Sequence, residues 1–220
     1  MRVYSIFSSL NGEVCSMHQG SLCTFIRLAG CSVGCDYCDT KYSADPNSGK
    51  EMTIQEVLDA VLIFGNNNIT ITGGEPFEQM EELIRLLIGL CSQNYIVSIE
   101  TSGEVPFNAL ELIPPSLGGT VNLVVDIKLN TQNHFHDYSK MWFTDKDFFK
   151  IVIGDEMDMI KAIHIKNELQ HKGCKAKFAF SPSHNVVTPQ QLLIWLQDHD
   201  CTDVILNAPL HKILNLAEDK

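Results

Sequence analysis

Short apolar runs alternate along the chain with longer segments whose apolar residues recur every three or four positions. The short runs predict strands at residues 3–7, 22–28, 68–72, 95–101, 121–127, 149–153, 177–180 and 204–206. The longer segments predict helices at 53–64, 78–90, 155–172 and 188–199. Two helix starts carry their own punctuation. Thr53 and Glu56 form a T-x-x-E capping pattern, and Thr188, Pro189 and Gln191 supply a cap, a first-turn proline and a box partner. Strands alternating with helices predict an α/β fold with a parallel sheet, open or closed into a barrel. Polar sequence follows four of the strands: TGGEP at 72–76, ETSG at 100–103, DIK at 126–128 and SPSH at 181–184. Functional residues of parallel α/β folds gather at the C-terminal strand ends, so this pattern predicts an enzyme with one shared site.

Length and composition narrow the class. The chain has 220 residues, 45% hydrophobic, which suits a single domain over 1–220 with a sizeable core. Lys and Arg number 16 against 27 Asp and Glu, a formal charge of -11. That balance argues against nucleic acid as a partner, because phosphate-backbone affinity needs clustered cations. It leaves room for a small anion held by one or two placed cations. No apolar stretch approaches the ~20 residues that span a bilayer, and the first residues do not read as a signal peptide. The expectation is a cytoplasmic protein without membrane contact.

Eight cysteines are present, and three crowd together: Cys31, Cys35 and Cys38, spaced C-x3-C-x2-C directly after the 22–28 strand. In a reducing compartment such a group points to a metal site rather than disulfides. Ordinary iron–sulfur carriers use four cysteines, so three would leave one iron open to a non-protein ligand. The alternative is a three-cysteine zinc site with a histidine, for which the nearest downstream residue is His134. The other five cysteines read as buried and inert. Cys15 is the possible exception, since it lies in the loop after the first strand.

C-x3-C-x2-C after one strand and GGEP after the next resembles the radical S-adenosylmethionine (SAM) superfamily. The resemblance narrows over SLNGE (9–13), FIRLAGCSVGCDYCDTKY (25–42), TGGEP (72–76) and LHKIL (210–214), which are similar to the 7-carboxy-7-deazaguanine synthase family. It implies a partial or modified TIM-like (β/α) barrel of the radical SAM type. It also implies conversion of 6-carboxy-5,6,7,8-tetrahydropterin to 7-carboxy-7-deazaguanine with ammonia loss, a ring contraction leading to queuosine and related deazapurines. The implied cofactors are a [4Fe–4S] cluster on Cys31, Cys35 and Cys38, SAM on its open iron, and Mg2+ on Thr40. A helix cap is the other reading of Thr40.

By the same resemblance, Tyr37, Cys38, Asp39, Gly73, Gly74, Glu75, Ser102, Asp126, Ile127, Lys128, Ser181, Pro182, Ser183 and His184 are expected at SAM. Leu10, Asn11, Gly12, Glu13, Arg27 and Thr72 are expected at the pterin. Arg27 would grip its carboxylate bidentately, and Glu13 would accept from its guanidine-like edge. His211, in the LHK segment, is a further candidate for the wall. The chain departs from the family pattern at Val14, at Asp126-Ile127 and at Pro209-Leu210, which touches the substrate loop and a SAM strand. The resemblance also implies a flavodoxin or ferredoxin electron donor and a homodimer. A glycyl-radical-enzyme activating protein, or a radical SAM enzyme on another small molecule, is the alternative within the enzyme class. An electron-transfer or zinc module is the alternative outside it, and it leaves GGEP unexplained.

Overall fold

Each apolar run becomes a strand. They are β1 (Arg2–Leu10), β2 (Leu22–Leu28), β3 (Lys50–Glu51), β4 (Asn68–Gly73), β5 (Ile96–Thr101), β6 (Val121–Ile127), β7 (Phe148–Ile153), β8 (Lys177–Pro182) and β9 (Val204–Leu206). The helices are α1 (Ile54–Leu62), α2 (Met80–Ser92), α3 (Glu156–His171), α4 (Pro189–Asp198) and a short α5 (Leu210–Ile213). The computed structural model describes residues 1–35, 38–105, 121–129 and 143–216, so Tyr37 and His134 lie outside the described residues.

Among the described residues the strands form one sheet in the order β3-β1-β2-β4-β5-β6-β7-β8-β9. From β2 to β9 every neighbour is parallel. β1 differs from the parallel expectation. It pairs antiparallel with β2, and the two-residue β3 extends that antiparallel edge. The reason is the connection: residues 11–21 contain no helix to carry the chain back, so β2 returns alongside β1.

The period of two along each strand sorts the side chains. Ile69 and Ile71, Val97 and Ile99, Leu123 and Val125, Phe149 and Ile151, and Phe178 and Phe180 join one core with Leu83, Leu86, Leu90 and Met159 of the helices. Full burial of each such residue is worth roughly 1.5–3 kcal/mol. The alternate positions are polar or charged: Arg27, Thr70, Thr72, Ser98, Glu100, Asn122, Asp126, Lys150 and Ser181. On this second face Val14, Val124, Phe148 and Ala179 make a small apolar cluster of their own. Val14 reaches it from the 11–21 loop, which therefore packs against the inner face of the sheet. The capping box of α1 forms as read, with Glu56 N–H donating to Thr53 Oγ1 and Thr53 N–H to Glu56. No described helix is long and apolar enough to cross a membrane.

Candidate active site

A cavity of about 530 Å³ is lined by residues of seven strands, from Phe7 and Ser9 of β1 to Ser181 and Pro182 of β8. One cavity can meet that many strands only if the sheet curls around it, as an open, partial barrel does. Its volume lies within the ~300–1,000 Å³ usual for small-molecule sites. The lining brings together Leu10, Gly12, Glu13, Arg27, Thr72, Cys31, Cys35, Cys38, Asp39, Thr40, Gly73, Gly74, Glu75, Ser102, Asp126, Lys128 and the whole of 181–184.

The three thiols sit on the loop between β2 and β3, which is pinned by main-chain bonds. Gly30 N–H donates to Ser43 O (2.9 Å), Cys31 N–H to Ala44 O (3.0 Å) and Glu75 N–H to Gly30 O (2.8 Å). The thiols are free and partly exposed. Among the described residues no three His, Cys, Asp or Glu side chains are gathered tightly enough for a single ion. Burial pushes the Cys31 and Cys35 thiols up, with neighbouring acids adding to it, so metal capture there must displace protons. Gly73 holds a φ of +112°, and a Cβ at Gly74 would overlap the Gly30 carbonyl. Only bare backbone lets the GGEP turn lie this close to the cysteine loop.

Glu75 is buried, and both its oxygens are engaged. Thr101 Oγ1 donates at 2.8 Å, Ser102 N–H at 2.9 Å, Ser102 Oγ at 2.6 Å and Phe77 N–H at 3.1 Å. Its carboxylate thus ties GGEP to the ETSG strand end. Thr40 precedes a 3-10 turn at Lys41–Ser43 but makes no side-chain cap bond. Among the described residues its hydroxyl makes only long contacts, 3.5 Å to Cys38 Sγ and 3.5 Å to Gly73 O.

Arg27 is buried on β2, with its guanidinium carbon 5.6 Å from the centre of the Phe7 ring and 5.5 Å from that of Tyr42. It forms no ion pair with any described residue, and its Nε lacks an acceptor. Across the cavity the charges are paired. Lys128 Nζ lies 2.5 Å from Asp126, and Lys150 Nζ lies 3.5 Å from Asp126 and 3.6 Å from Glu13. Burial would raise Asp126, but Lys128 and Lys150 outweigh it and hold the carboxyl below its ordinary range. Burial would likewise lower Lys150, yet Asp126, Glu13 and Glu100 keep it protonated. For Glu100 burial wins: with Glu13 adding to it, the carboxyl is pushed up despite Lys150. At the rim, Lys212 Nζ lies 2.9 Å from Asp39, and His211 Nε2 lies 3.9 Å away.

Two expected contacts are corrected. Asn11 is buried behind the wall, where Nδ2 donates to Ser21 Oγ (2.9 Å) and Oδ1 accepts from Thr70 Oγ1 (2.6 Å) and Cys23 Sγ (3.2 Å). Its amide braces the loop and is not free to read a ligand. Ile127 turns into the core on the helix side, because its neighbours Asp126 and Lys128 take the cavity positions. Cys15 is also buried, outside the lining. Glu100, the first residue of ETSG, and Lys150 also line the cavity, although neither was expected to contact a ligand. Their signal was available: a charged residue alternating with Ile and Phe in a strand otherwise buried on both sides.

Residues 25–127 match the Radical SAM superfamily. The chain is 32% identical to a 7-carboxy-7-deazaguanine synthase of Chlorobaculum tepidum, over 97% of its length and 94% of the relative. It is 32% identical to that of Clostridium acetobutylicum, covering 97% and 95%. The crystal structure of QueE from Escherichia coli shares the fold with a TM-score of 0.69 at 21% identity, covering 94% of this chain and 92% of that one.

Proposed function

The chain belongs to the 7-carboxy-7-deazaguanine synthase family of the radical SAM superfamily, and from that premise we propose that it contracts 6-carboxy-5,6,7,8-tetrahydropterin to 7-carboxy-7-deazaguanine with loss of ammonia. One observation carries the reading. Three free thiols, a backbone turn that tolerates no Cβ, and a buried guanidinium with no ion pair to a described carboxylate share a single cavity.

These residues fit the groups such chemistry needs. Cys31, Cys35 and Cys38 would hold a [4Fe–4S] cluster, and the main chain at 73–74 with Ser102, Asp126, Lys128 and 181–184 would hold SAM. Thr40, whose hydroxyl has no close partner among the described residues, would offer Mg2+ the oxygen ligand it prefers. When bound, the cofactors supply the one-electron reduction and hydrogen abstraction that side chains cannot. The protein's part is positioning. Arg27 grips the substrate carboxylate, with the Phe7 and Tyr42 rings beside it to favour its charge. Glu13 accepts from the amino edge of the pterin, while Thr72 and Glu100, joined by a 2.8 Å hydrogen bond, flank it. The proposal extends to one domain over 1–220, a flavodoxin or ferredoxin donor, a homodimer and a cytoplasmic setting where an oxygen-labile cluster survives.

Anaerobic turnover of the reconstituted protein with SAM, reductant, Mg2+ and the tetrahydropterin, read by mass spectrometry, tests it. Product with the mass of 7-carboxy-7-deazaguanine, without matching loss of SAM, is expected. SAM cleavage with the pterin untouched would overturn the substrate assignment. Thr40→Ala should weaken the Mg2+ dependence, and an unchanged Mg2+ response would remove Thr40 from the metal site.

A further inference from the structure

Glu13 is held from two directions. Lys150 approaches it from β7 at 3.6 Å, and Asn207 reaches it from the segment after β9. Asn207 is fully buried and does not line the cavity. Its N–H donates to Phe180 O (2.8 Å), which extends the β8–β9 pairing by one residue. Its side-chain amide uses both ends. Nδ2 donates to Ser181 Oγ (2.6 Å) and to the Glu13 carboxylate, while Oδ1 accepts from Val14 N–H (2.9 Å) and Gln19 Nε2 (3.1 Å). An amide offers two donors and two lone pairs, so its capacity is filled. The reversed orientation would set its oxygen against the Glu13 carboxylate.

We propose that Asn207 is a positioning residue that fixes the orientation of Glu13, and so sets specificity for a substrate presenting a guanidine-like N–H edge. The donor end meets the carboxylate, and the acceptor end holds the backbone one residue on. Glu13 is then aimed before substrate arrives. An untethered glutamate would lose up to ~2 kcal/mol of rotamer entropy on binding. The proposal rests on Glu13 reading the pterin.

The test is steady-state kinetics of the reconstituted holoenzyme, with 6-carboxytetrahydropterin varied at saturating SAM and SAM varied at saturating pterin. Asn207→Ala is expected to raise the pterin KM about tenfold, the ~1.4 kcal/mol of one lost hydrogen bond to a charged group, with kcat and the SAM KM within about twofold. Asn207→Asp, nearly isosteric, sets a carboxylate against Glu13 and should raise the pterin KM further; it answers the question even if the alanine variant fails to fold. In a Glu13→Ala background, which removes the acceptor altogether, Asn207→Ala should add nothing. An undiminished effect in that background, or a loss confined to kcat or the SAM KM, would make Asn207 a fold brace only. If Glu13→Gln raises the pterin KM and neither Asn207 variant does, the proposal alone falls. If Glu13→Gln leaves the pterin KM unchanged, the Glu13 reading falls and the proposal with it.

Discussion

Replacing Arg27 by methionine should leave the fold nearly as stable and remove most of the substrate affinity. The two consequences come from the same geometry. The guanidinium lies 5.6 Å from one ring and 5.5 Å from another, with Nε buried and unpartnered. Two lost cation–π contacts at ~0.5–1 kcal/mol each cost about 1–2 kcal/mol. Removing a buried, unsatisfied N–H returns ~1–3 kcal/mol. The net is close to zero, and at ~2–4 °C per kcal/mol for a chain this long the melting temperature should move by only a few degrees. Binding fares differently. Two charge-assisted hydrogen bonds to a carboxylate are worth ~1.5–3 kcal/mol each, so affinity for 6-carboxytetrahydropterin should fall at least ~100-fold.

Arg27→Lys keeps the charge but loses the planar fork, and should fall between the two, about tenfold weaker than the parent. Equilibrium dialysis of the pterin against SAM-loaded protein reads the affinity, and scanning calorimetry reads the stability. A melting temperature lowered by ~10 °C with affinity unchanged would refute the reasoning, since Arg27 would then be bracing β2 rather than awaiting an anion.

Three further outcomes follow from the site. Asn11→Ala should lower unfolding free energy by ~1–3 kcal/mol, because the buried Thr70 hydroxyl loses its acceptor; denaturant midpoints check this, and full stability with a raised pterin KM would return Asn11 to the ligand. Gly74→Ala should destabilise by ~1–3 kcal/mol even in cluster-free protein, since its Cβ would strike the Gly30 carbonyl; thermal melts of the iron-free chain suffice, and an unchanged melt would show that the loops part easily. Glu100→Gln should stabilise the protein near neutral pH. A carboxyl raised by burial costs stability once pH passes the unfolded value of ~4.3, and the cost is complete above the folded value. The gain from glutamine should therefore shrink toward pH 4, and a pH-independent difference in melting temperature would contradict it.

What the sequence makes legible is what lies close along the chain. The strands 22–28, 121–127 and 204–206 have the expected bounds because β-branched and apolar runs end at turn residues on both sides. The capping box at Thr53 is local chemistry and forms as read. Local signals also mark the cysteine loop and the GGEP turn. Less legible is whatever depends on facing. Asn11 sits among ligand-loop residues in sequence, yet its side chain points to Thr70, 59 residues away. Ile127 lies between two cavity residues and, by the period of two, must point away from both. β3 and α5 are too short to announce themselves, with two and four residues.

Facing also resolves how a chain of net charge -11 can present a cation to an anion. The relevant sum is local. Asp126 and Glu13 on the inner face are matched by Lys128 and Lys150 at 2.5–3.6 Å, and Asp39 at the rim by Lys212 at 2.9 Å. Glu100, pushed up by burial, gives way more readily than Asp126 when pH falls. Arg27 is left over, a buried cation beside two rings that makes no ion pair with a described acid. An added carboxylate would therefore complete the pairing rather than compete with it. The acid-rich exterior affects only how a charged ligand arrives, which salt screens beyond ~8–10 Å. Selection for a carboxylate then belongs to the strand register that set Arg27 beside Thr72, a property of the alternation rather than of any single motif.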